Sequence, residues 1–146
     1  MSVETFKKYI LDKGIDIKII EAPSTTKSAK EAAAVHGVPV GSIVKSLLVK
    51  VDDRFVIYLT PGDVRLDFDL IKKEFNASEV RMANADEVKK VTGYSIGGVP
   101  PFGHKTRIET HIHPAFSNDY PLYAAAGSAL ANFETTLEEL QKMLVK

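Results

Sequence analysis

The chain has 146 residues, of which 45% are hydrophobic and 26% are charged, so we expect residues 1–146 to form a single globular domain. It has no cysteine, which excludes disulfides, thiolate metal ligands and a cysteine nucleophile. Its 19 basic and 19 acidic side chains balance, which argues against a long nucleic-acid footprint but not against binding the end of an RNA. Since there is neither an apolar run of roughly 18 residues nor a signal-peptide core, we expect a cytoplasmic protein without a membrane partner.

The first half of the chain predicts helices and a β-hairpin. Apolar residues at helical spacing favour a first helix that ends at Gly14. Ser28 and Glu31 have the spacing of a capping box and predict the start of an alanine-rich helix. Alternating residues on both sides of the Asp52-Asp53 turn predict the hairpin. The bounds we expect are a helix over 3–13, a strand over 15–20, a helix ending at 36–37, and strands over 43–51 and 54–60.

The second half predicts short strands between helices. Asn84 is the expected cap of one helix, and Thr135 with Glu138 has the spacing of a second capping box. Phe133 is expected to begin the apolar stripe of the last helix. Because no regular βαβ rhythm is present, we predict the α+β class, with a mixed, partly antiparallel sheet wrapped by helices. The bounds are helices over 68–75, 84–91 and from 135 onward, and strands over 80–82, 107–112 and 122–126.

Lys45 is the first residue that suggests chemistry. In the predicted strand it shares one face with Ile43, Leu47, Val49 and Val51, all apolar. A lysine among apolar neighbours is costly unless it is paired or reaches an opening. Its ammonium therefore either binds an anion such as a phosphate in a pocket or extends into solvent at the strand end.

The second feature is a loop over residues 92–104, Thr-Gly-Tyr-Ser-Ile-Gly-Gly-Val-Pro-Pro-Phe-Gly-His. Its glycines permit close approach of the backbone to a ligand, and its prolines stiffen the chain. Free N–H groups in such a loop would suit an oxyanion or a phosphate. A structural turn between a helix and a strand is the alternative interpretation.

The third feature is the stretch Tyr123 to Ala129, which carries almost no side-chain bulk and includes Gly127. Small residues on a strand let another group come close, so this stretch predicts either the floor of a small-substrate pocket or tight helix packing. His111 and His113 share a strand face and would need a third ligand to bind zinc, whereas Arg107 and Glu109 on that face indicate a solvated surface.

These segments resemble, in order and spacing along essentially the whole chain, the YbaK/prolyl-tRNA synthetase-associated editing domains. Residues 40–49, Val-Gly-Ser-Ile-Val-Lys-Ser-Leu-Leu-Val, are similar to the lysine strand of that family. Residues 92–104 resemble its glycine-to-proline active-site loop, and residues 123–128 resemble its small-residue strand. The resemblance implies a mixed, largely antiparallel, barrel-like sheet surrounded by helices.

The resemblance also implies a freestanding aminoacyl-tRNA deacylase that acts on the acceptor end and removes a small noncognate amino acid such as alanine, often from tRNA for proline. A tRNA synthetase is the protein partner that the resemblance suggests. Water attacks the ester with help from the terminal ribose hydroxyl, so no protein nucleophile and no cofactor or metal is expected. The implied catalytic residues are Lys45, which holds the terminal nucleotide and its phosphate, and the loop backbone at Gly97, Gly98 and Val99. The candidate substrate-binding residues are Thr26, Ser46, Tyr94, Pro100, His104, Ala125, Gly127 and Ser128.

One departure concerns the amino acid removed. Family members that resemble cysteinyl-tRNA deacylases have a serine and an aspartate where this chain has Ala125 and Asn132. Cysteine specificity is therefore in doubt, and the Gly-Gly-Val-Pro-Pro-x-Gly-His loop is closer to members that act on alanine or similarly small residues. A non-catalytic module that binds an aminoacyl or nucleotide end is the alternative function, and a metal enzyme built on His111 and His113 is a third.

Overall fold

A computed structural model describes residues 2–22, 26, 28–117 and 120–144, and within them the chain forms helices packed around one seven-stranded sheet. None of the helices formed by these residues is long and apolar enough to cross a membrane. The elements are α1 Val3–Asp12, β1 Ile19–Glu21, α2 Ala29–His36, a 3-10 turn Val40–Ser42, β2 Ile43–Val51, β3 Arg54–Pro61, α3 Phe68–Phe75, β4 Val80–Met82, α4 Ala85–Thr92, β5 Glu109–Ile112, β6 Leu122–Ser128, β7 Ala131–Thr135 and α5 Leu137–Leu144.

The sheet is mixed and mostly antiparallel, which confirms the predicted α+β class. Its strand order is β1-β7-β6-β2-β3-β5, and β4 pairs with β2 outside this path. The β2–β6 and β3–β5 pairs are parallel, and the other pairs are antiparallel. Within the described residues no pair joins β1 to β5, so the sheet is open rather than a closed barrel.

Strand pairing along one edge of β2 is interrupted, and the candidate functional site lies at this interruption. Strand β3 pairs with β2 from Val44 to Val51 and occupies one whole edge. On the other edge, β6 pairs only with Ile43 and Val44, and β4 pairs only with residues 49–51. Residues 45–48 therefore border a gap between β6 and β4, which we call the β2 gap.

The main core lies on the face of β2 opposite Lys45. Val44 and Leu48 belong to the largest apolar cluster, whereas Ile43 packs with α2 and Val49 packs in a separate cluster with α3. The expectation that Lys45 points toward the core was therefore wrong for the main core. Lys45 lies between two smaller clusters, where apolar packing is interrupted.

The C-terminal elements differ most from the prediction. Phe133 is fully buried in β7, a strand that the sequence pattern did not reveal, and it does not belong to the last helix. That helix begins at Leu137, and its N-terminus is capped by Thr136, whose hydroxyl accepts the Glu139 N–H at 3.1 Å. The cap thus lies one residue beyond the predicted Thr135–Glu138 pair. Strands β1 and β5 begin later than predicted, at Ile19 and Glu109.

Candidate functional site

A mostly apolar cavity of about 390 Å³ opens at the β2 gap, beneath α2 and the glycine-proline loop. It takes its shape from strands that diverge, because β2 and β6 separate after the pair Val44–Ala124. Among the described residues that line it, none is histidine, aspartate or glutamate. The lining consists of Thr26, Ser28, Ala29, Ala32, residues 43–48, Met82, Ala83, Val88, Ile96, Gly97, Val99, Tyr123, Ala125 and Asn132.

Lys45, Ala125 and Asn132 lie on one face of three neighbouring strands. The parallel pair Ile43–Tyr123 places Lys45 and Ala125, each two residues further along, on the same face. Ala125 in turn pairs directly with Asn132 of β7. Because the side chain of Ala125 is a single methyl group, it leaves open space between an ammonium group on one side and an amide on the other. Ala125 therefore lines the cavity, and its role as the floor of a substrate pocket stays a prediction.

The ammonium of Lys45 is held at the end of β3. Its Nζ donates to the carbonyl oxygen of Val64 at 2.9 Å, between the neighbouring residues Asp63 and Arg65. Burial lowers the pKa of Lys45, the negative charge of Asp63 opposes that effect, and the positive charge of Arg65 adds to it. An ammonium has three N–H donors, so this one has donors left for an anion in the cavity.

Ser46 carries an unsatisfied hydroxyl at the cavity wall. Its Oγ is buried and has no hydrogen-bond partner, the one such side-chain atom found in the described part of the chain. A buried polar group without a partner costs free energy, so a ligand that hydrogen-bonds to it recovers that cost. Thr26 also lines the cavity, but its Oγ1 already donates to the carbonyl of Ala129 at 2.7 Å.

The glycine-proline loop presents only part of its backbone to the cavity. Gly97, at φ +90°, and Val99 line the cavity, whereas Gly98 packs against β6. The N–H of Gly98 donates to Ser95 at 2.9 Å and its carbonyl accepts the N–H of Gly127 at 3.0 Å. The expected contact of the Gly98 N–H with the substrate is therefore not what the structure shows. Gly97 and Val99 remain as candidate backbone donors.

Five other candidates lie outside the cavity lining, so the structure does not place them as substrate contacts. Tyr94 is fully buried, with its hydroxyl 3.5 Å from the carbonyl of Gly103, and burial raises its pKa to about 12. Pro100 is also buried in the loop. His104 donates from Nε2 to the carbonyl of Pro100 at 2.7 Å, and burial lowers the pKa of its imidazole.

The remaining two candidates lie at the end of β6. Gly127, at φ +109°, lies against the backbone of Ser2, where a Cβ would be 2.7 Å from the Ser2 carbonyl oxygen. The hydroxyl of Ser128 accepts the N–H of Leu130 at 3.1 Å. These residues hold the loop, α1 and the β6–β7 turn together, and they support the cavity from behind.

The structure adds a group of three side chains that sequence reasoning missed. His36, the last residue of α2, has its Nε2 at 2.8 Å from Oδ1 of Asn132. Its ring stacks on Tyr123, with centroids 4.2 Å apart and planes 13° from parallel. The Tyr123 hydroxyl donates to Glu134 at 2.8 Å, and this hydrogen bond raises the pKa of the tyrosine. No local spacing joins His36 to β7, so only the fold reveals the group.

His111 and His113 have other partners in the structure. His111 Nε2 lies 2.6 Å from a Glu109 carboxylate oxygen, and its ring stacks on Tyr58. His113 Nδ1 accepts the N–H of Ala115 at 3.1 Å. The described residues contain no group of three or more histidine, cysteine, aspartate or glutamate side chains placed to hold a metal ion.

Comparison with known proteins gives a consistent family. Residues 23–143 match the model of the aminoacyl-tRNA editing domain. The chain is 34% identical over 113 residues to a proline–tRNA ligase of Bacillus licheniformis, covering 77% of this chain but 19% of that enzyme. It is 26% identical to the uncharacterized protein YwhH of Bacillus subtilis, covering 97% of this chain and 90% of that protein.

A solved structure supports the same assignment at the level of the fold. It is the crystal structure of a candidate trans-editing enzyme for prolyl-tRNA synthetase, with a TM-score of 0.89 and 32% identity. The match covers 98% of this chain and 91% of that one. With the lysine, the backbone loop and the small-residue strand around one cavity, the chain belongs to the aminoacyl-tRNA editing domain family.

Proposed function

We propose that this protein hydrolyses the ester of mischarged aminoacyl-tRNA in trans, removing a small noncognate amino acid such as alanine, with tRNA for proline as the carrier. The single observation that carries the proposal is the open floor at Ala125, between the ammonium of Lys45 and the amide of Asn132. A small side chain fits above a methyl group, whereas a larger one meets the helix α2 that covers the same cavity.

The anionic end of the tRNA suits Lys45. A phosphate next to the terminal nucleotide would pair with the ammonium, whose other contact is a neutral carbonyl. Hydrogen bonds between charged partners are roughly twice as strong as neutral ones. Arg65 follows Val64 in the chain and places a second exposed cation beside this position.

The reaction requires only water and the substrate. The oxygen of a water molecule bonds to the ester carbonyl carbon, the bond from that carbon to the ribose oxygen breaks, and the ribose oxygen takes the proton that the water loses. No histidine, aspartate or glutamate is found among the described lining residues, and the neighbouring ribose hydroxyl is the group that we propose to assist the proton transfer. Backbone N–H groups at Gly97 and Val99 stabilise the developing oxyanion, and a single donor of this kind contributes about 3 kcal/mol.

The relatives support the choice of tRNA. The chain matches about a fifth of the length of a proline–tRNA ligase, and the similar solved structure is that of a candidate trans-editing enzyme for prolyl-tRNA synthetase. A synthetase that releases the mischarged tRNA is therefore the partner we propose.

The test is discharge of tRNAs labelled on the amino acid, carrying alanine, cysteine, serine, threonine or proline. We expect release of a small noncognate amino acid while prolyl-tRNA stays charged. If every tRNA stays charged although it binds the protein, the alternative function, a non-catalytic module that binds the acceptor end, replaces the proposal.

A further inference from the structure

The β2 gap leaves a short length of strand edge without a partner. On the side of β2 that faces β6 and β4, pairing stops after Val44 and resumes where the carbonyl of Leu48 accepts the N–H of Ala83 at 3.0 Å. Within the described residues no strand pairs with the intervening edge. The cavity lies along this edge, in the place where a further strand would pair.

The backbone of Ser46 points into this gap. Successive residues of a strand direct their N–H and C=O groups to alternate edges. The carbonyl of Leu48 points toward β4, so the groups of Ser46, two residues earlier, point the same way. The other edge is consistent with this alternation, because the carbonyl of Ile43 accepts the N–H of Gly62 at 2.9 Å on the β3 side. Val44 lies opposite Pro61, which has no N–H to donate.

Within the described residues, the gap therefore holds one N–H and one C=O that have no partner, together with the partnerless Oγ of the same residue. In an antiparallel ladder, two residues that face each other exchange both hydrogen bonds, using one N–H and one C=O each. A single aminoacyl group carries this pair of functions, an α-ammonium and a carbonyl. A peptide would need further edge groups, but Val44 already pairs with β6 and the carbonyl of Leu48 already accepts the N–H of Ala83.

We propose that the aminoacyl group binds the β2 gap as a one-residue strand. The N–H of Ser46 donates to the ester carbonyl oxygen, and the carbonyl of Ser46 accepts from the α-ammonium. This binding mode rests on the proposed function for its substrate and deepens it by naming the groups that recognise the amino acid. It explains how the site recognises the part common to all amino acids without a carboxylate for the ammonium.

Binding of the aminoacyl group in this mode also favours attack on the ester carbonyl. A donor on the carbonyl oxygen polarises the carbonyl group and gains strength as negative charge develops there. Ser46 thus approaches the oxygen from the strand while Gly97 and Val99 approach from the loop. A carbonyl oxygen has two lone pairs, so donors from both sides are compatible.

The first experiment uses stable substrate analogues. The ligand is 3′-deoxy-3′-(alanylamino)adenosine, in which an amide replaces the ester, and the control is the propanoyl analogue, which lacks only the α-ammonium. In a ¹H–¹⁵N spectrum of the whole protein, the Ser46 amide proton is expected to shift downfield with both ligands. The control is expected to bind about tenfold or more weakly, since it loses a hydrogen bond from a charged donor. An unshifted Ser46 amide with a bound ligand, or equal affinity for both analogues, overturns the proposal.

The second experiment removes the donor itself. Replacing the backbone N–H of residue 46 by an ester oxygen removes one hydrogen-bond donor and keeps the serine side chain, so the unmodified protein is the matched control. With equal thermal stability, we expect the ester-containing protein to discharge aminoacyl-tRNA about 100-fold more slowly than the unmodified protein. Equal rates contradict the binding mode while leaving the proposed function intact. Failure of the unmodified protein to discharge any tRNA, with the Ser46 shift still present, contradicts the proposed function and leaves the binding mode intact. Absence of both discharge and ligand binding overturns both.

Discussion

His36 and Asn132, separated by 96 positions in the chain, meet with Nε2 and Oδ1 2.8 Å apart at the edge of the cavity. The orientation of the amide follows from its other bond, since Nδ2 of Asn132 donates to the carbonyl of Ala131 at 3.0 Å. A carbonyl only accepts, so Oδ1 must face His36, and His36 must carry its proton on Nε2. His36 therefore fixes the orientation of the buried Asn132 amide at the cavity.

Replacing His36 tests this positioning role. His36→Leu removes the donor and should lower the kcat/KM for deacylation about tenfold, because Asn132 then loses a hydrogen bond of about 1 kcal/mol and its fixed orientation. His36→Gln supplies a new N–H and should recover most of the activity. Long-range ¹H–¹⁵N spectra of the wild-type imidazole at neutral pH should show the Nε2–H tautomer, and the Nδ1–H tautomer would contradict the assignment.

Lys45→Ala should lose activity without losing the fold. The ammonium is partly desolvated and its pKa is lowered mainly by burial, so its removal relieves an electrostatic cost. Loss of a charge-assisted contact to phosphate should lower kcat/KM about 10- to 100-fold. The control is Lys50→Ala, on the same strand but outside the cavity lining, which should retain activity. Thermal melting of both variants checks folding, and a fully active Lys45→Ala would remove this residue from the site.

Ala125 and Ala124 provide a test of the two faces of β6. Ala125 lines the cavity, so Ala125→Val should fill empty space, leave stability nearly unchanged and slow the release of larger amino acids more than that of alanine. Ala124 is 1% exposed in the main core, so Ala124→Val should overpack it and cost about 1–3 kcal/mol of unfolding free energy. Discharge assays and denaturant unfolding on both variants should show opposite patterns.

Gly98→Ala should displace the loop from β6. An added Cβ would lie 2.7 Å from Cα and 2.9 Å from N of Ser128, both backbone atoms that cannot move aside easily. We expect a loss of about 1–3 kcal/mol in stability and a larger loss of activity, since Gly97 and Val99 move with the loop. Gly14→Ala is the comparison, because Gly14 has φ +66° and open space around it. That variant carries backbone strain of about 1 kcal/mol and should keep its activity.

His104 should make stability depend on pH. Burial lowers the pKa of its imidazole below the ordinary 6.5, against the opposing effect of the Pro100 carbonyl. As the pH falls below that value, the unfolded chain binds a proton that the folded chain does not, so stability declines until the folded pKa is reached. His104→Gln does not titrate and retains an N–H for Pro100, so it should flatten this part of the profile. Melting temperatures at about pH 8 and about pH 5.5 measure the difference.

Local pattern was sufficient for most of the elements. The hairpin of β2 and β3 was predicted within one residue, and Ser28 and Asn84 cap their helices as expected. Both signals act over a few neighbouring residues, which is why the sequence reveals them. Strand β7 was not predicted, because it is five residues long and follows β6 after a two-residue turn. Its apolar residues were therefore assigned to the apolar stripe of α5.

The candidate site likewise combines features that local sequence predicts with features that only the fold reveals. The amino-acid sequence alone predicts that Lys45 is an unusual cation on a strand, that residues 92–104 form a constrained loop and that β6 is built of small residues, because these features depend on composition and short spacing. The fold was needed to show that β6 and β4 leave a gap on β2, that the N–H of Gly98 is already bonded to Ser95, and that His36 holds Asn132. These depend on where strands stop pairing and on contacts between distant residues, which no local pattern encodes.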